Sequence, residues 1–500
     1  MSESDDRKQL TAVLEDELYK YCQSESLSVI GLHVIFERHG LESNNDYQIR
    51  NYRFFFVACK NKRVTEGIIR CLLEYFPDAA GAACERGWSS LHFACDNNSV
   101  KLNIIRILID AAPDSVRNVC SEGRMPLHNF CSGRKMDEKN AVQILKLLIE
   151  KYPEAVRHAN NRGRLPIHYA ALTKSPEFCR VLEAYPGSEQ KATTNGGLPL
   201  HWACAGNTLA TVEYLYHLYP NSIHHATTRG HYPIHTSILG TKHRNSPSTA
   251  VEIVQFLLDC DPNVKAQTFQ GMSLLRYVCV QEYNDSNIEA GIQMIKVIFD
   301  AHPEAIEDNR ITTDIRRSHQ RIRTFINGEL VYARKAKDHR LMTTPDDNGR
   351  LPLHVALQNN VRLGSIKLLI KGNLAAIISP DNSGALPLHI ACQHHDSTNI
   401  IDYLVELDNS WLVHDSTLGA VDRDGNTALH LACRSAKYET ITLFLEKYNA
   451  VSVSKRNVYG ELPINLLWES NPVEDRGSIE YTESVFRLLK AYPETLRTII

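Results

Sequence analysis

The sequence predicts an all-α protein, an α-solenoid of stacked helix–turn–helix repeats. Three observations predict this fold. A string of the type "GRLPIHYAA" (163–171) returns along the chain, its copies lie mostly 33–41 residues apart, and each copy is followed by a second segment with periodic apolar residues. Self-similarity with a period of about 20 to 50 residues is the sequence signature of a repeat array.

Ten clear copies of the string are present, with one gap of 78 residues between Arg276 and His354. A weaker copy, "NYRFFFVAC" (51–59), precedes them. The clear copies are "GWSSLHFAC" (87–95), "GRMPLHNFC" (123–131), "GRLPIHYAA" (163–171), "GGLPLHWAC" (196–204), "GHYPIHTSI" (230–238), "GMSLLRYVC" (271–279), "GRLPLHVAL" (349–357), "GALPLHIAC" (384–392), "GNTALHLAC" (425–433) and "GELPINLLW" (460–468).

Each unit reads as a turn, a short helix, a longer helix and a return loop. The leading glycine, such as Gly163, suits a tight turn that needs φ > 0. The proline three residues on, such as Pro166, fits the first position of a helix, where its missing N–H is no loss. Segments such as "VQILKLLIEKYP" (142–153) have apolar residues at i, i+3, i+4 and i+7, which predicts a helix with one buried stripe.

These strings resemble the ankyrin repeat, whose signature is a Thr-Pro-Leu-His string at a period of about 33. The resemblance covers about residues 51–500, with ten or eleven copies in register. It implies a curved stack of helix pairs, finger-like turns that project from one edge, and a concave face used to bind other proteins.

The chain departs from the family pattern at two places in the repeat. The family's threonine is kept only as Thr427, with Ser89 and Ser273 as near equivalents, so most units lack that helix-capping hydroxyl. The family's glycine after the second helix is mostly replaced by proline, as at Pro153. We expect this proline to stop the helix and to start a further helical turn at 153–158.

One histidine slot recurs in eight units, which argues for a structural role, since a catalytic or metal-binding group is normally singular. The resemblance implies that each imidazole bonds to backbone near the finger and ties neighbouring repeats together. These structural histidines are His92, His128, His168, His201, His235, His354, His389 and His430. Seven cysteines share another slot and are expected to be small buried hydrophobes, unbridged because packed helices lie too far apart. They are Cys59, Cys95, Cys131, Cys204, Cys279, Cys392 and Cys433.

Composition and motifs point to a binding protein. The chain has 500 residues, 43% hydrophobic and 23% charged, and a net charge of −3, so no overall field marks a nucleic-acid or membrane-surface binder. The polar start "MSESDDRKQL" does not resemble a signal peptide, and we expect an intracellular protein, cytoplasmic rather than nuclear. No GxxxxGK[ST], HExxH, GxSxG or GxGxxG motif occurs, so we expect no enzyme, no cofactor and no metal site.

The fingers flanking each glycine are the expected contact surface for a partner, because turns on a rigid scaffold are free to vary. Their charge changes along the chain. The later copies carry the acids Asp346, Asp347, Asp422, Asp424 and Glu461. An acidic partner would therefore be steered to the early fingers, although exposed turns often simply carry charge. The candidate partner-binding residues are Arg86, Trp88, Arg124, Arg162, Arg164, Arg229, His231, Arg350 and Arg423.

The 78-residue gap holds a basic segment, 309–341, with nine Lys or Arg residues and three acids. Asn327-Gly328 between apolar runs predicts a β-hairpin after a short helix near 312–323, followed by a basic tail. The segment is a decayed repeat, a solvated ornament or a basic docking element for an anionic partner; all three interpretations stay open. Its candidate residues are Arg316, Arg317, Arg321, Arg323, Arg334, Lys335 and Lys337.

The expected domains are an N-terminal helical cap (1–50), a first block of ankyrin-type repeats (51–308), a basic insert or degenerate repeat (309–348) and a second block (349–500). The expected function is a non-enzymatic scaffold that binds a protein partner on its fingers and concave face. The alternative is an adaptor that binds nucleic acid or anionic lipid through 309–341.

Overall fold

The fold is described from a computed structural model of the chain, which divides into two compact units. Unit 1 comprises Met1–Tyr277 and Asp285–Met294, and unit 2 comprises Val278–Asn284 and Ile295–Ile500. The described residues are 3–41, 49, 51–133, 136–183, 187–244, 246–308, 310–411, 417–448, 452–470 and 478–493, without the side chains of 3–11 and 408–411.

The described residues form α-helices joined by turns and 3₁₀ segments, with two isolated β-bridges. The helices up to the division between the units are α1 (Glu3–Gln23), α2 (Val29–Arg38), α3 (Arg53–Lys60), α4 (Glu66–Tyr75), α5 (Ser90–Cys95), α6 (Leu102–Ala111), α7 (Pro126–Ser132), α8 (Glu138–Lys151), α9 (Pro166–Thr173), α10 (Pro176–Leu182), α11 (Pro199–Gly206), α12 (Leu209–Leu218), α13 (Pro233–Gly240) and α14 (Ser248–Cys260).

Two further helices have residues in both units, and the remainder belong to unit 2. The first two are α15 (Leu274–Cys279) and α16 (Ile288–Ala301). The helices of unit 2 are α17 (Ile311–Asp314), α18 (Gln320–Lys337), α19 (His339–Thr343), α20 (Pro352–Gln358), α21 (Leu363–Gly372), α22 (Pro387–His394), α23 (Thr398–Trp411), α24 (Ala428–Arg434), α25 (Tyr438–Lys447), α26 (Pro463–Ser470) and α27 (Ile479–Ala491).

The predicted repeat of turn, short helix and longer helix is confirmed, so the chain is an all-α solenoid of helix pairs. The first helix of each pair is called the inner helix here; where the motif has a proline, the helix starts at it, as α9 does at Pro166. The second, outer helix buries a single stripe; in α8 it includes Ile144, Leu145 and Leu148. In unit 2 the buried side chains of successive pairs join into one apolar cluster.

The return loop differs from a simple helix stop, as its prolines predict. A 3₁₀ segment begins at the proline and runs Pro153–Arg157 in one repeat and Pro220–His224 in another. Further segments are Pro77–Ala80, Pro113–Arg117, Pro262–Ala266 and Pro303–Glu307. The predicted helical turn is therefore confirmed at these prolines; Pro186 lies outside the described residues.

The predicted hairpin at Asn327-Gly328 is wrong, because α18 runs unbroken from Gln320 to Lys337. Its buried residues Ile322, Ile326 and Leu330 recur every four positions, and burial of this apolar stripe outweighs the turn preference of Asn-Gly. Asn327 and Gly328 lie on the exposed side of the helix.

The N-terminal helices α1 and α2 also form a pair, and α1 buries Leu14, Leu18 and Cys22. The Asn61 amide donates to the Cys22 and Ser24 carbonyls, both at 2.9 Å. We propose that this pair caps the first repeat, because its contact with α3 has the form of a contact between successive repeats.

Candidate protein-binding surface

Nine of the ten glycine fingers are five-residue turns closed by backbone hydrogen bonds, and in the Gly271 finger Phe269 and Met272 exchange two backbone hydrogen bonds instead. In the finger that starts at Asn160, the Asn160 N–H donates to the Arg164 carbonyl at 3.0 Å, and the Gly163 N–H donates to the Asn160 carbonyl at 2.8 Å. The Asn160 Oδ1 accepts from the N–H groups of Arg162 and Arg164. Aspartate does the same in unit 2, where the Asp381 Oδ1 accepts from the N–H groups of Ser383 and Ala385.

The leading glycines adopt the predicted left-handed conformation, with φ between 69° and 85°. At Gly163 the next finger also passes so close that an added Cβ would lie 2.9 Å from the Thr194 nitrogen. Gly460 has the same positive φ but no atom within 4 Å of an added Cβ. Glycine therefore meets a conformational demand in every finger and a spatial one where another finger follows closely.

Consecutive fingers are joined by backbone hydrogen bonds of 2.9–3.1 Å, which we call the finger ladder. In seven pairs of consecutive fingers, the carbonyl of the residue before the glycine accepts from an N–H of the next finger; among the described residues no such bond joins the fingers of Gly230 and Gly271. The donor and acceptor pairs are Ser121 to Arg86, Asn161 to Glu122, Thr194 to Arg162 and Thr228 to Asn195 in unit 1, and Asn382 to Asn348, Arg423 to Ser383 and Val458 to Asp424 in unit 2. Only backbone atoms take part, so the ladder does not depend on which side chains the fingertips carry.

The recurring histidines lie buried at the start of the inner helices. The Leu165 N–H donates to the His168 Nδ1 at 3.1 Å, and the His168 Nε2 lies 3.0 Å from the Lys191 carbonyl of the next repeat. Since Nδ1 accepts, the neutral ring must carry its proton on Nε2 and donate it to that carbonyl. The same pair of bonds is made by His92, His128, His201, His389 and His430.

Burial keeps these rings neutral, because a charged imidazole would lose its hydration. Desolvation lowers the pKa of His168 to about 4, and it does the same for His92, His128 and His201. The histidines of unit 2 also have a lowered pKa, but nearby aspartates oppose the shift: Asp381 acts on His354, and Asp422 acts on His389 and His430.

Two histidines in this slot make only one of the two hydrogen bonds, the one at Nδ1. Backbone N–H groups donate to Nδ1 of His235 and of His354, but their Nε2 atoms are buried without a hydrogen-bond partner. His235 contacts Tyr277 edge-on with ring centroids 4.8 Å apart.

Sequence reasoning missed a second type of histidine hydrogen bond, which joins two fingers to the fingers before them. The Nε2 of His158 lies 3.1 Å from the Gly123 carbonyl, and that of His225 lies 3.0 Å from the Gly196 carbonyl. Both residues follow a 3₁₀ segment directly, in "VRHANN" and "IHHATT". This shared position was the only available signal.

Sequence reasoning also missed ties at the far ends of the inner helices. The Asn97 amide donates to the Cys59 and Asn61 carbonyls, and the Asn207 amide donates to the Ala171 and Lys174 carbonyls. Other repeats make comparable ties through Lys174, Arg244, Ser318, His395 and Ser470. Asparagine recurs at this position in Asn61, Asn97 and Asn207, but other residue types take it elsewhere, so the sequence signal was weak.

The structure separates the nine candidate partner-binding residues into two groups. Arg86, Arg162, Arg229 and Arg423 lie exposed at fingertips and make no ion pair with any described residue. The side chains of the other five candidates pack against the protein and already contact other residues.

Among the packed candidates, arginines and aromatic rings alternate along the inner helices of unit 1. The Arg124 guanidinium pairs with Glu122 at 3.0 Å and lies 5.1 Å from the Tyr169 ring centroid. Arg164 lies 5.7 Å from that ring and 4.3 Å from the Trp202 ring. Such cation–π contacts hold both side chains in place.

The remaining three packed candidates are half-buried. Trp88 contacts the Phe93 ring with centroids 5.2 Å apart, and His231 stacks on Phe269 at 4.2 Å. Arg350 pairs with Asp346 at 3.0 Å. These residues present fixed surfaces rather than free charges.

The basic residues of 309–341 do not form one continuous stripe. Arg316, Arg317 and Arg321 lie near the start of α18, and Arg334, Lys335 and Lys337 lie at its end. About thirteen residues, or roughly 20 Å of helix, separate the two groups. Arg323 donates to the Arg316 carbonyl, and Lys337 pairs with Glu307 at 3.2 Å.

The seven cysteines of the shared slot are buried and unbridged, as predicted. Burial raises the pKa of Cys204 to about 12, so its thiol stays protonated. Among the described residues, no three His, Cys, Asp or Glu side chains are grouped so as to hold a metal ion. Nor does any described helix have both the length and the apolar character needed to cross a membrane.

Comparisons with known proteins agree with the repeat geometry. A family model described as ankyrin repeats (3 copies) matches residues 127–225 and 325–413, and one described as ankyrin repeat matches residues 424–458. No match is found among curated proteins. Ankyrin repeats are generally protein-interaction modules. The ten glycine fingers and the buried histidines agree with these matches: the chain contains ankyrin repeats.

Proposed function

We propose that the chain is a non-enzymatic scaffold that binds an acidic segment of a protein partner on the fingers and concave face of unit 1. One observation carries this proposal: Arg86, Arg162 and Arg229 are exposed at fingertips and make no ion pair with any described residue. Each precedes its finger's glycine, on a backbone held by hydrogen bonds.

Arginine on a rigid turn suits carboxylate recognition. Its planar guanidinium can bind a carboxylate through two parallel hydrogen bonds. An exposed pair contributes only about 0.2 to 1 kcal/mol, so three such pairs together account for roughly a tenfold change in affinity. Charged fingertips also speed association with a partner of opposite charge.

Contacts beside the fingers would supply the apolar part of the interface. Trp88 and Trp202 are half-buried, and the stacked Arg164 fixes the Trp202 ring. Tryptophan, tyrosine and arginine dominate the residues that contribute most to binding in protein interfaces. A partner that docks on the fingers of unit 1 could bury these rings with little loss of side-chain entropy.

The fingers of unit 2 carry more acidic residues than those of unit 1. Asp424 takes the place before its glycine, and Asp347 is also exposed. Of the basic finger residues of unit 2, Arg350 is paired with Asp346, and Arg423 is exposed without an ion pair to any described residue. These fingers would repel an acidic segment, which favours unit 1 as its site.

No observation on the described residues favours the alternative, binding of nucleic acid or anionic lipid. The basic groups at the two ends of α18 are separated by the neutral exposed residues Thr324, Asn327 and Val331. Removing 309–341 would also remove the buried residues of α18, so charge reversal is the sounder test.

The test is affinity capture from nuclease-treated lysate with three full-length proteins, followed by quantitative mass spectrometry. The first is wild type, the second carries Arg86→Glu, Arg162→Glu and Arg229→Glu, and the third carries Arg316→Glu, Arg317→Glu and Arg334→Glu. The last two change the net charge equally. We expect the finger variant to lose an acidic partner that the wild type and the α18 variant retain in stoichiometric amounts.

Two outcomes would contradict the proposal. Equal capture by all three proteins would remove the fingers of unit 1 from the interface. A partner lost only from the α18 variant, or captured only without nuclease, would favour the alternative.

A further inference from the structure

The first repeat of unit 2 has a helix pair but lacks a finger. Residues 308–310 alone connect the 3₁₀ segment Pro303–Glu307 to α17. In a repeat with a finger, residues 158–165 make the same connection. The Ser318 hydroxyl donates to the Cys279 carbonyl, in the way that Ser470 donates to Cys433 one inner helix earlier.

The missing finger leaves the next one, residues 344–350, without a preceding partner in the finger ladder. In the finger that follows it, the Asn382 N–H donates to the Asn348 carbonyl at 2.9 Å. The corresponding donor of the 344–350 finger is the Asp347 N–H, which has no protein acceptor among the described residues. Asp347 is exposed, so this donor is open to a ligand.

A cavity of about 360 Å³ adjoins this finger within unit 2. Its lining is mainly apolar and combines α18, α19, the finger, α20 and α21. The apolar lining residues are Tyr332, Leu341, Pro345, Pro352, Val355, Ala356 and Leu369. Leu369 is buried, and Leu341 is 51% exposed at the edge. This volume lies at the small end of ligand pockets, so the cavity fits one large side chain rather than an extended cofactor.

The two sides of the cavity differ in charge. Lys335 lines the α18 side and is exposed, and Arg334 and Arg340 beside it make no ion pair with any described residue. On the finger side Arg350 is held by Asp346 and by Gln358, while Asp347 has no cationic partner. A bound acidic group would therefore be attracted to the α18 side and repelled from the finger.

We propose that this cleft binds an extended peptide segment of a protein partner in the place of the missing finger. The peptide puts one bulky apolar side chain into the cavity and its acidic residues beside Lys335 and Arg340. A backbone carbonyl of the peptide accepts from the Asp347 N–H, in the role that a finger carbonyl has elsewhere in the ladder. Main-chain hydrogen bonding combined with a side-chain pocket is an established mode of peptide recognition.

The test uses a displayed library of random dodecapeptides, selected against the full-length protein. Selected peptides are synthesised with a fluorescein label, and their affinities are measured by fluorescence anisotropy. Two variants alter the cleft through exposed residues, Leu341→Glu and Lys335→Glu. Two matched controls change exposed residues away from the cavity, Val331→Glu in α18 and Arg317→Glu in the 3₁₀ segment before it. A finger variant with Arg86→Glu, Arg162→Glu and Arg229→Glu completes the set.

We expect selected peptides to combine one large apolar residue with acidic residues on one side of it. Each cleft variant should weaken their binding by about tenfold or more, and the controls and the finger variant should leave it unchanged. Replacing the apolar residue of the peptide by serine should abolish binding. Circular dichroism of each variant verifies that the fold is retained.

Three results would overturn the proposal. One is a selection that enriches no peptide, and another is a set of peptides that bind the cleft variants as well as wild type. The third is loss of binding in the finger variant alone, which would place the peptides on unit 1 and support the proposed function instead.

Discussion

The fingers of unit 1 and unit 2 have the same backbone conformation, but they place different charges near the recurring histidines. His168 in unit 1 and His389 in unit 2 make the same two hydrogen bonds. The finger before His168 begins with the neutral Asn160, and the finger before His389 begins with Asp381. Aspartates oppose the fall in pKa only in unit 2. The comparison teaches that the repeat fixes geometry while each unit sets its own electrostatics.

A fall in pH from 7 to 5.5 should produce the largest difference in stability between the two units. Desolvation lowers the pKa of His168 to about 4 in the folded state, against about 6.5 in the unfolded state. Below pH 6.5 the unfolded chain therefore binds more protons, and stability is lost as the pH falls toward 4. At pH 5.5 each such histidine lowers the free energy of unfolding by roughly 1 kcal/mol. Unit 1 has four of them, besides His235, whose pKa burial lowers to about 3.

Hydrogen exchange measured by mass spectrometry at pH 7 and pH 5.5, corrected for the intrinsic rate, checks this expectation. Peptides from unit 1 should lose several kcal/mol of protection, and those from unit 2 should lose less. Desolvation raises the pKa of the half-buried Glu329 in unit 2 and of Glu183 in unit 1, and each acts in the opposite direction to the histidines. Equal losses in both units, or a loss between pH 8 and pH 7, would contradict the assignment to histidine.

Removing one histidine from each unit should have equal effects at pH 7. His168→Ala and His389→Ala each leave a backbone N–H and a carbonyl without their partner, which costs about 1 to 3 kcal/mol. Urea unfolding of the two variants measures the loss. A milder variant, His168→Asn, imitates Asn465, whose Oδ1 accepts from the Leu462 N–H at 2.9 Å. The His168→Asn variant should recover part of the lost free energy of unfolding. A His168→Ala protein as stable as wild type would show that the two hydrogen bonds of His168 do not stabilise the fold.

The smallest expected effect concerns α18, which belongs to the repeat without a finger. Gly328 lies exposed in the middle of α18, and an added Cβ would meet no atom within 4 Å. Gly328→Ala should therefore stabilise unit 2 by about 0.5 to 1 kcal/mol, since alanine loses less backbone entropy on forming a helix. A shift of the unfolding midpoint to higher temperature, absent in a Gly460→Ala control, would confirm it. Unchanged or lower stability would contradict a regular helix at this position.

Most of the fold could be predicted because it recurs in the sequence. The glycine, proline and histidine of "GRLPIHYAA" each meet a local backbone requirement, so the string identified the turn, the helix start and the buried ring. The segment around Asn327-Gly328 was predicted wrongly because it occurs only once in the chain. Its two-residue turn signal competed with the four-residue spacing of Ile322, Ile326 and Leu330, and burial of those three side chains favoured the helix.

Less of the candidate site could be predicted, because exposure and pairing depend on distant residues. Arg124 and Arg162 both flank a finger glycine in the sequence, yet Arg124 stacks on Tyr169 and pairs with Glu122, while Arg162 makes no ion pair with any described residue. The cleft beside the 344–350 finger had no sequence signal, since it arises from residues that the repeat lacks.

The finger ladder makes the fingertips unusually tolerant of change. Because its bonds join only backbone atoms, the side chains of Arg86, Arg162 and Asn195 can be replaced without breaking a link between fingers. New specificities could therefore accumulate one fingertip at a time during evolution, each with little penalty to folding. The same property makes the three positions suitable for a combinatorial library in which binding is varied while the scaffold is kept.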